Sequence, residues 1–299
     1  MIGRNTQIHE PYAPWSARVS LFALTLITLT LLLHRISVMS TPLALNLFGV
    51  GFMLAALGLS LGLYAASSIW IRGRVGAWSC AWGIMIALTL WLWPAALVSP
   101  YLSQPNISDV TTNTSSPPPF TVLAKQRPPG ANSTVYPGVA AATLQARAYP
   151  DLRTLVIPRS AEEVYELTLD LVRGRRGLGW KVALEEAPQT RQGRPGVIEA
   201  TDRTLILGFT DDIVIRIGGS DTEARVDIRS TSRYGGHDLG TNAARIRHFV
   251  RDLSTRLDAA GPVGMASRGG VRINRADAPT AASVKRPLDR SPEKAARQR

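Results

Sequence analysis

Acidic residues are missing between Glu10 and Asp109, and the only basic residues in that stretch are Arg18, Arg35, Arg72 and Arg74. A soluble helix keeps a charged face, so a stretch this poor in charge is not a soluble core. Cysteine occurs once, as Cys80, inside an apolar run. That excludes an intrachain disulfide, a cysteine-built metal site and a cysteine nucleophile anywhere else in the chain. The four histidines (His9, His34, His237, His248) are too scattered for a ligand cluster, and no calcium-loop pattern is present. No metal and no cofactor are therefore expected.

The formal net charge of +12 tempts one toward nucleic acid, but its distribution argues otherwise. Residues 151–258 carry seventeen basic and seventeen acidic side chains, so the segment is neutral. The excess lies in the first 150 residues and in the tail after Asp258, where nine basic residues face three acidic ones. Phosphate binding needs a basic footprint on the folded surface, and a neutral domain lacks it. Nucleic acid is not an expected partner.

What the first hundred residues do contain is three apolar runs, about Ala17–Leu33, Leu43–Ile71 and Ala77–Val98. A helix needs about 20 apolar residues to cross roughly 30 Å of hydrocarbon, so each run predicts a span. Trp78, Trp82, Trp91 and Trp93 frame the third at its two ends, where indoles favour the headgroup level. A cleaved signal peptide is the alternative for the first run, but no A-x-A site follows it. Arg4 and Arg18 precede the first span, and Arg72 and Arg74 separate the second from the third. Short loops rich in Lys and Arg stay in the cytoplasm, which predicts an inside N-terminus and an outside C-terminal domain. The expected location is the bacterial cytoplasmic membrane, with the domain in the periplasm. Gly58, Gly62 and Ala66 recur at four-residue spacing, a pattern for close packing within the chain or in a helix-mediated homodimer.

The expected organisation is a cytoplasmic N-terminus at 1–16, a three-helix anchor at 17–99 and a Pro-rich connector at 100–148. An α+β domain at 149–258 and a basic disordered tail at 259–299 follow. The connector holds Pro117-Pro118-Pro119 and Pro128-Pro129-Gly130, which exclude a long helix or central strand. Ser160-Ala161-Glu162-Glu163 is a capping box opening a helix to about Arg173. Strands are expected at about Trp180–Glu186, Val197–Phe209, Ile213–Ile217 and Ala224–Ser232, then a helix from about Leu239 to Leu257. Short turns between the strands favour hairpins. The fold class is thus a three-helix membrane anchor plus a two-layer α+β domain with an antiparallel four-stranded sheet and two helices.

Candidate site residues cluster in the last third: Asp211, Asp212, Arg216, Asp227, Arg229, Arg233, Asp238, Asn242 and Arg245. Strand periodicity places Asp212, Arg216, Asp227 and Arg229 on one face of a hairpin. Two readings stand side by side. Arg forks form an anion or headgroup site, or Arg–Asp pairs tie strands and last helix together. A third arrangement, Ser230 or Ser232 with His237 and Asp238, has the residue types of a hydrolase.

The segments Gly208-Phe209-Thr210-Asp211-Asp212-Ile213-Val214-Ile215-Arg216 and Val226-Asp227-Ile228-Arg229-Ser230-Thr231-Ser232-Arg233 carry a family resemblance. With Gly236, Asp238-Leu239-Gly240, Asn242 and Arg245-Ile246, they resemble the bacterial domain of unknown function 1499 family. Upstream, Ile107-Ser108-Asp109-Val110-Thr111-Thr112, Pro117-Pro118-Pro119-Phe120 and Tyr149-Pro150-Asp151-Leu152 are similar to that family's extended lead-in. Asn113 departs from it, standing where a second acidic residue is more usual. The resemblance covers roughly residues 106–256 and implies one ordered domain that includes the start of the connector. It implies no reaction or cofactor. The expected function is a non-catalytic envelope module that contacts the lipid bilayer and an envelope protein or anionic lipid, with an envelope hydrolase as the alternative.

Overall fold

The computed structural model describes residues 8–174 and 177–261. The tail expected to be disordered falls almost wholly outside them. Three helices lead: α1 (Tyr12–Arg35), α2 (Thr41–Arg72) and α3 (Ala77–Ser103). All three are long and apolar enough to cross a membrane. Their packing is inverted relative to a soluble bundle. Small residues such as Ser16, Ser20, Ala23, Ala55 and Ala65 are buried between them. Leu21, Phe22, Leu29, Met53, Leu63 and Leu92 face outward. Gly58 and Gly83 lie where a Cβ would strike the Ser20 and Ser16 hydroxyls, so glycine sets how closely the helices approach. The Ser16 hydroxyl then donates to Gly58 O at 2.8 Å. Gly58 and Gly62 therefore face neighbouring helices of the same chain.

The chain runs up, down and up, so the α1–α2 turn lies at the same end of the bundle as the C-terminus of α3. At the opposite end Glu10, buried, pairs with Arg74 at 2.8 Å.

The remaining elements are β1 (Asp109–Thr111), α4 (Val122–Gln126), α5 (Val139–Ala148), β2 (Leu155–Ile157) and α6 (Ala161–Arg173). β3 (Lys181–Glu186), β4 (Gly196–Arg203), β5 (Thr210–Gly219), β6 (Ala224–Ser232) and α7 (Thr241–Ala259) complete them. The sheet is antiparallel but has six strands, which corrects the expected four. β3, β4, β5 and β6 form a meander, and β1 and β2 both pair with β6 along its free edge. Each of the two added strands is three residues long, too short for alternation to register. The two helices expected between 149 and 258 are α6 and α7, and two further short helices, α4 and α5, form between the prolines of the connector. The expected strand Val197–Phe209 ends instead at Arg203, and Thr204–Gly208 make a turn closed by Gly208 N–H to Thr204 O.

Strand alternation divides the sheet into two faces. Ile213, Ile215, Ile217, Val226 and Ile228 join Val164, Leu171, Ile246, Phe249 and Leu253 in the main core beneath α6 and α7. Val214 and Val197 point the other way, where Phe120 and Leu123 of the lead-in cover them. The edge beside β1 is closed by α5: Gln145 accepts from Thr111 N–H at 3.0 Å and donates to Thr111 O at 2.6 Å. That buried amide continues the ladder in place of a further strand.

Candidate functional site

The nine candidate residues do not form one constellation. Asp211 and Asp212 are neighbours in a strand, so they point to opposite faces. Asp212, Arg216, Asp227, Arg229 and Arg233 lie on the face covered by the lead-in. Asp211, Asp238, Asn242 and Arg245 lie on the helix face or at its rim.

On the lead-in face Arg229 is almost fully buried, at 2% exposure, and its fork grips Asp109 of β1 in bidentate fashion at 2.9 and 2.6 Å. Its remaining donors reach Pro118 O at 3.1 Å and Thr134 O at 2.8 Å. The guanidinium also lies against the rings of Phe120 and Tyr136, 5.0 and 5.5 Å from their centres. Asp212 takes one arginine on each oxygen, Arg127 at 2.7 Å and Arg233 at 2.9 and 2.7 Å. Asp227 accepts from Arg216 at 2.6 Å, from the Asn113 amide at 3.2 Å and from the Thr154 hydroxyl at 2.5 Å. Arg216 reaches on to Ser116 O at 2.7 Å. Glu199, fully buried, accepts from the N–H groups of Thr121, Val122 and Leu123 and from the Thr121 hydroxyl. It thereby caps the first turn of α4. Four guanidiniums (Arg127, Arg216, Arg229, Arg233) thus pair with three carboxylates (Asp109, Asp212, Asp227) while Glu199 takes backbone N–H groups, and these eight side chains carry no net charge to offer an anion.

On the helix face Arg245 bridges Asp202 at 2.8 Å and Asp211 at 2.7 Å, tying α7 to β4 and β5. Burial pushes the Asp211 carboxyl above the usual range, and Arg245 opposes that shift only in part. Asp238 caps α7, accepting from Gly240 N–H at 2.9 Å and Asn242 N–H at 2.8 Å. The Asn242 side chain accepts from the Ser230 hydroxyl at 2.7 Å and donates to Ser232 Oγ at 3.0 Å and Ser108 O at 3.1 Å.

Those bonds also decide the arrangement of Ser230, Ser232, His237 and Asp238. The structure does not bring them together as a nucleophile, base and orienter. His237 Nδ1 accepts from Leu239 N–H at 2.9 Å, which leaves the proton on Nε2. Nε2–H points to Tyr101 O at 3.1 Å and Gln104 O at 3.2 Å, and the ring stacks on Tyr101. His237 therefore ties the β6–α7 loop to the end of α3. Among the described residues no group of three or more His, Cys, Asp or Glu side chains is placed to hold a metal ion.

The partners that complete the lead-in face, Asp109, Arg127 and Glu199, were not among the candidates. Two signals mark them in the sequence. Asp109 is the only acidic residue between Glu10 and Asp151, and Glu199 interrupts the apolar strand Val197-Ile198-Glu199-Ala200. A lone carboxylate in such surroundings needs a partner. The chain matches no curated protein. Residues 109–253, beginning at the aspartate that holds Arg229 and lying C-terminal to the three long helices, match the model of the family described as Protein of unknown function (DUF1499).

Proposed function

We propose that this chain is a multi-pass protein of the bacterial cytoplasmic membrane whose domain stands in the periplasm as a non-catalytic binding or structural module. The observation that carries the non-catalytic reading is the mutual pairing of its charged groups. Arg229, Asp109, Asp212, Asp227 and Glu199 hold one another and the lead-in, leaving no unpaired nucleophile, base or anion fork among them. These residues act in this reading as a latch that binds the lead-in across the sheet. The outward-facing large side chains of α1, α2 and α3 support anchoring, since lipid is the solvent that suits them. The orientation rests on Arg4, Arg18, Arg72 and Arg74. Arg74 is paired with Glu10, but acidic residues weigh little in setting topology. Partners of the module are an envelope protein or an anionic envelope component.

Two experiments test this reading. An alkaline phosphatase fused after Arg299 is expected to be active, and a fluorescent protein that matures only in the cytoplasm is expected to stay dark. The reverse pattern would invert the topology. The purified chain, given generic ester, phosphoester and peptide substrates, is expected to show no turnover that His237→Ala removes. A His237-dependent turnover would restore the hydrolase.

A further inference from the structure

The turn between β4 and β5 has the wrong composition for a solvated turn. Thr204-Leu205-Ile206-Leu207-Gly208-Phe209 is apolar almost throughout, which is why periodicity alone extends the strand through it. Yet Leu205 is 84% exposed and Ile206 51% exposed, so no core accounts for them. The turn is nonetheless firmly built. Thr204 N–H reaches Phe209 O at 2.9 Å, Phe209 N–H reaches the Thr204 hydroxyl at 2.9 Å, and Arg203 Nε donates to Gly208 O at 3.1 Å.

Its position matters as much as its composition. Leu207 O lies 2.7 Å from His34 Nδ1, and Arg203 donates to Ser37 Oγ at 3.0 Å and His34 O at 3.3 Å. The turn therefore abuts the end of α1, level with the α1–α2 turn. There Ile36 and Val38 are also bare. Two arginine side chains pass beside the same glycine. A methyl added to Gly208 would sit 3.1 Å from Arg203 Nη2 and 3.2 Å from Arg35 Cδ. Among the described residues neither Arg35 nor Arg203 has a carboxylate partner, although Arg216, Arg225 and Arg229 of the same sheet each do. Beside them opens a cleft of about 350 Å³ lined by His34, Ser37, Thr41, Arg203 and Tyr234. A last-turn position on α1 explains why a cation suits residue 35. It does not explain why Leu205 and Ile206 are bare.

We propose that the Thr204–Gly208 turn is a membrane wedge: Leu205 and Ile206 enter the headgroup–acyl boundary, and Arg35 and Arg203 hold a phospholipid phosphate. The inference rests on the membrane-spanning reading of α1, α2 and α3, but not on which compartment the domain faces. Its physical basis is the pairing of bare apolar side chains with two arginines, beside the same turn, that no carboxylate neutralises among the described residues. Interfacial segments have that composition, and a planar fork matches phosphate oxygens in bidentate fashion. The wedge would also pin the domain upright, since the β5–β6 and β3–β4 turns lie at the far end of the strands, about 25 Å away.

The test uses the full chain in phosphatidylglycerol nanodiscs, with Cys80→Ser as background and one new cysteine carrying a nitroxide label. Labels go at Leu88→Cys within α3, Leu205→Cys at the turn, and Thr222→Cys at the far end of the sheet. Relaxation by oxygen and by a nickel chelate reads depth. The expected result is a deep Leu88 label, a Leu205 label at the headgroup–acyl boundary and a Thr222 label in water. A Leu205 label as nickel-accessible as that at Thr222 overturns the wedge alone, as does a Thr222 label equally lipid-exposed. A nickel-accessible Leu88 label overturns the spanning reading beneath it. Native mass spectrometry of the same discs reads the phosphate contact. Retained phosphatidylglycerol is expected to fall about fivefold for each arginine removed in Arg35→Gln and Arg203→Gln. The Arg191→Gln control, in the far turn, should retain it. Undiminished retention in the double variant overturns the phosphate contact, and loss of lipid to excess inorganic phosphate would assign the site to free phosphate instead.

Discussion

Removing the Arg229 guanidinium is the sharpest perturbation available to the latch. Arg229→Ala strips Asp109, itself 3% exposed, of its only ion-pair partner among the described residues and leaves a carboxylate charged in an apolar wall. Breaking a buried pair from one side costs about 3–5 kcal/mol. The carbonyls of Pro118 and Thr134 lose a donor as well, and Phe120 and Tyr136 lose the plane they pack against. Against a total stability of about 5–15 kcal/mol this is a large fraction. A domain of this size loses about 2–4 °C of melting temperature per kcal/mol, so the expected drop is on the order of 10 °C. Thermal unfolding of the detergent-solubilised chain measures it. Arg229→Lys should recover less than half, because an ammonium cannot bridge both Asp109 oxygens and two carbonyls at once. Arg229→Met combined with Asp109→Leu should be milder than Arg229→Ala, since an apolar pair leaves no stranded charge. An Arg229→Ala chain that unfolds within about 2 °C of the parent would refute the reasoning. If it also lost a lipid or protein partner, the cluster would be a binding site instead.

Two further outcomes follow from the same geometry. Glu199→Ala leaves the first-turn N–H groups of α4 without an acceptor, at about 1–3 kcal/mol per stranded group. Glu199→Gln, which keeps one acceptor oxygen, should lose less, and limited proteolysis near Lys125 should follow the same order. Burial pushes the Tyr149 phenol up to about 12, with Asp238 adding to the shift and Arg247 opposing it. The unfolded value is about 10, so the folded state holds this proton more tightly. Its stabilisation is present in full below pH 10 and fades as pH rises from there toward 12. An ultraviolet titration of the parent minus Tyr149→Phe should show this phenol ionising last; ionisation near 10 would contradict the burial that shifts it.

Much of the architecture is legible in local patterns. Three runs long enough to span a bilayer appear as α1, α2 and α3, the first two extended at both ends and α3 at its C-terminal end, because helical geometry outlasts the apolar run. Ser160 caps α6 as its spacing predicts, accepting from Glu163 N–H at 3.2 Å. What was hidden depended on distance along the chain. β1 joins β6 across more than one hundred residues, with Asp109 opposite Thr231, and three residues carry no period to announce it. Period two does predict that Asp211 and Asp212 diverge, so the separation of the candidate cluster into two faces was readable from the strand itself. The choice of partner was not: Asp109 and Arg127 lie in the connector, and only the folded lead-in brings them to Arg229 and Asp212. The Thr204–Gly208 turn misleads because its composition answers to its surroundings at the end of α1 rather than to the sheet.

The central claim is that the lead-in is part of the domain and is held there by the Arg229–Asp109 pair. Hydrogen exchange on the full chain in nanodiscs, comparing parent with Arg229→Ala, tests it most directly. Thr111 N–H bonds to Gln145 and Thr112 N–H to Ile228 O, so both should exchange as slowly as the centre of β6 in the parent. In Arg229→Ala these amides should speed up together while β4 and β5 stay protected. Amides at 109–112 that exchange in the parent as fast as exposed loop amides, or that keep full protection without Arg229, would contradict the account.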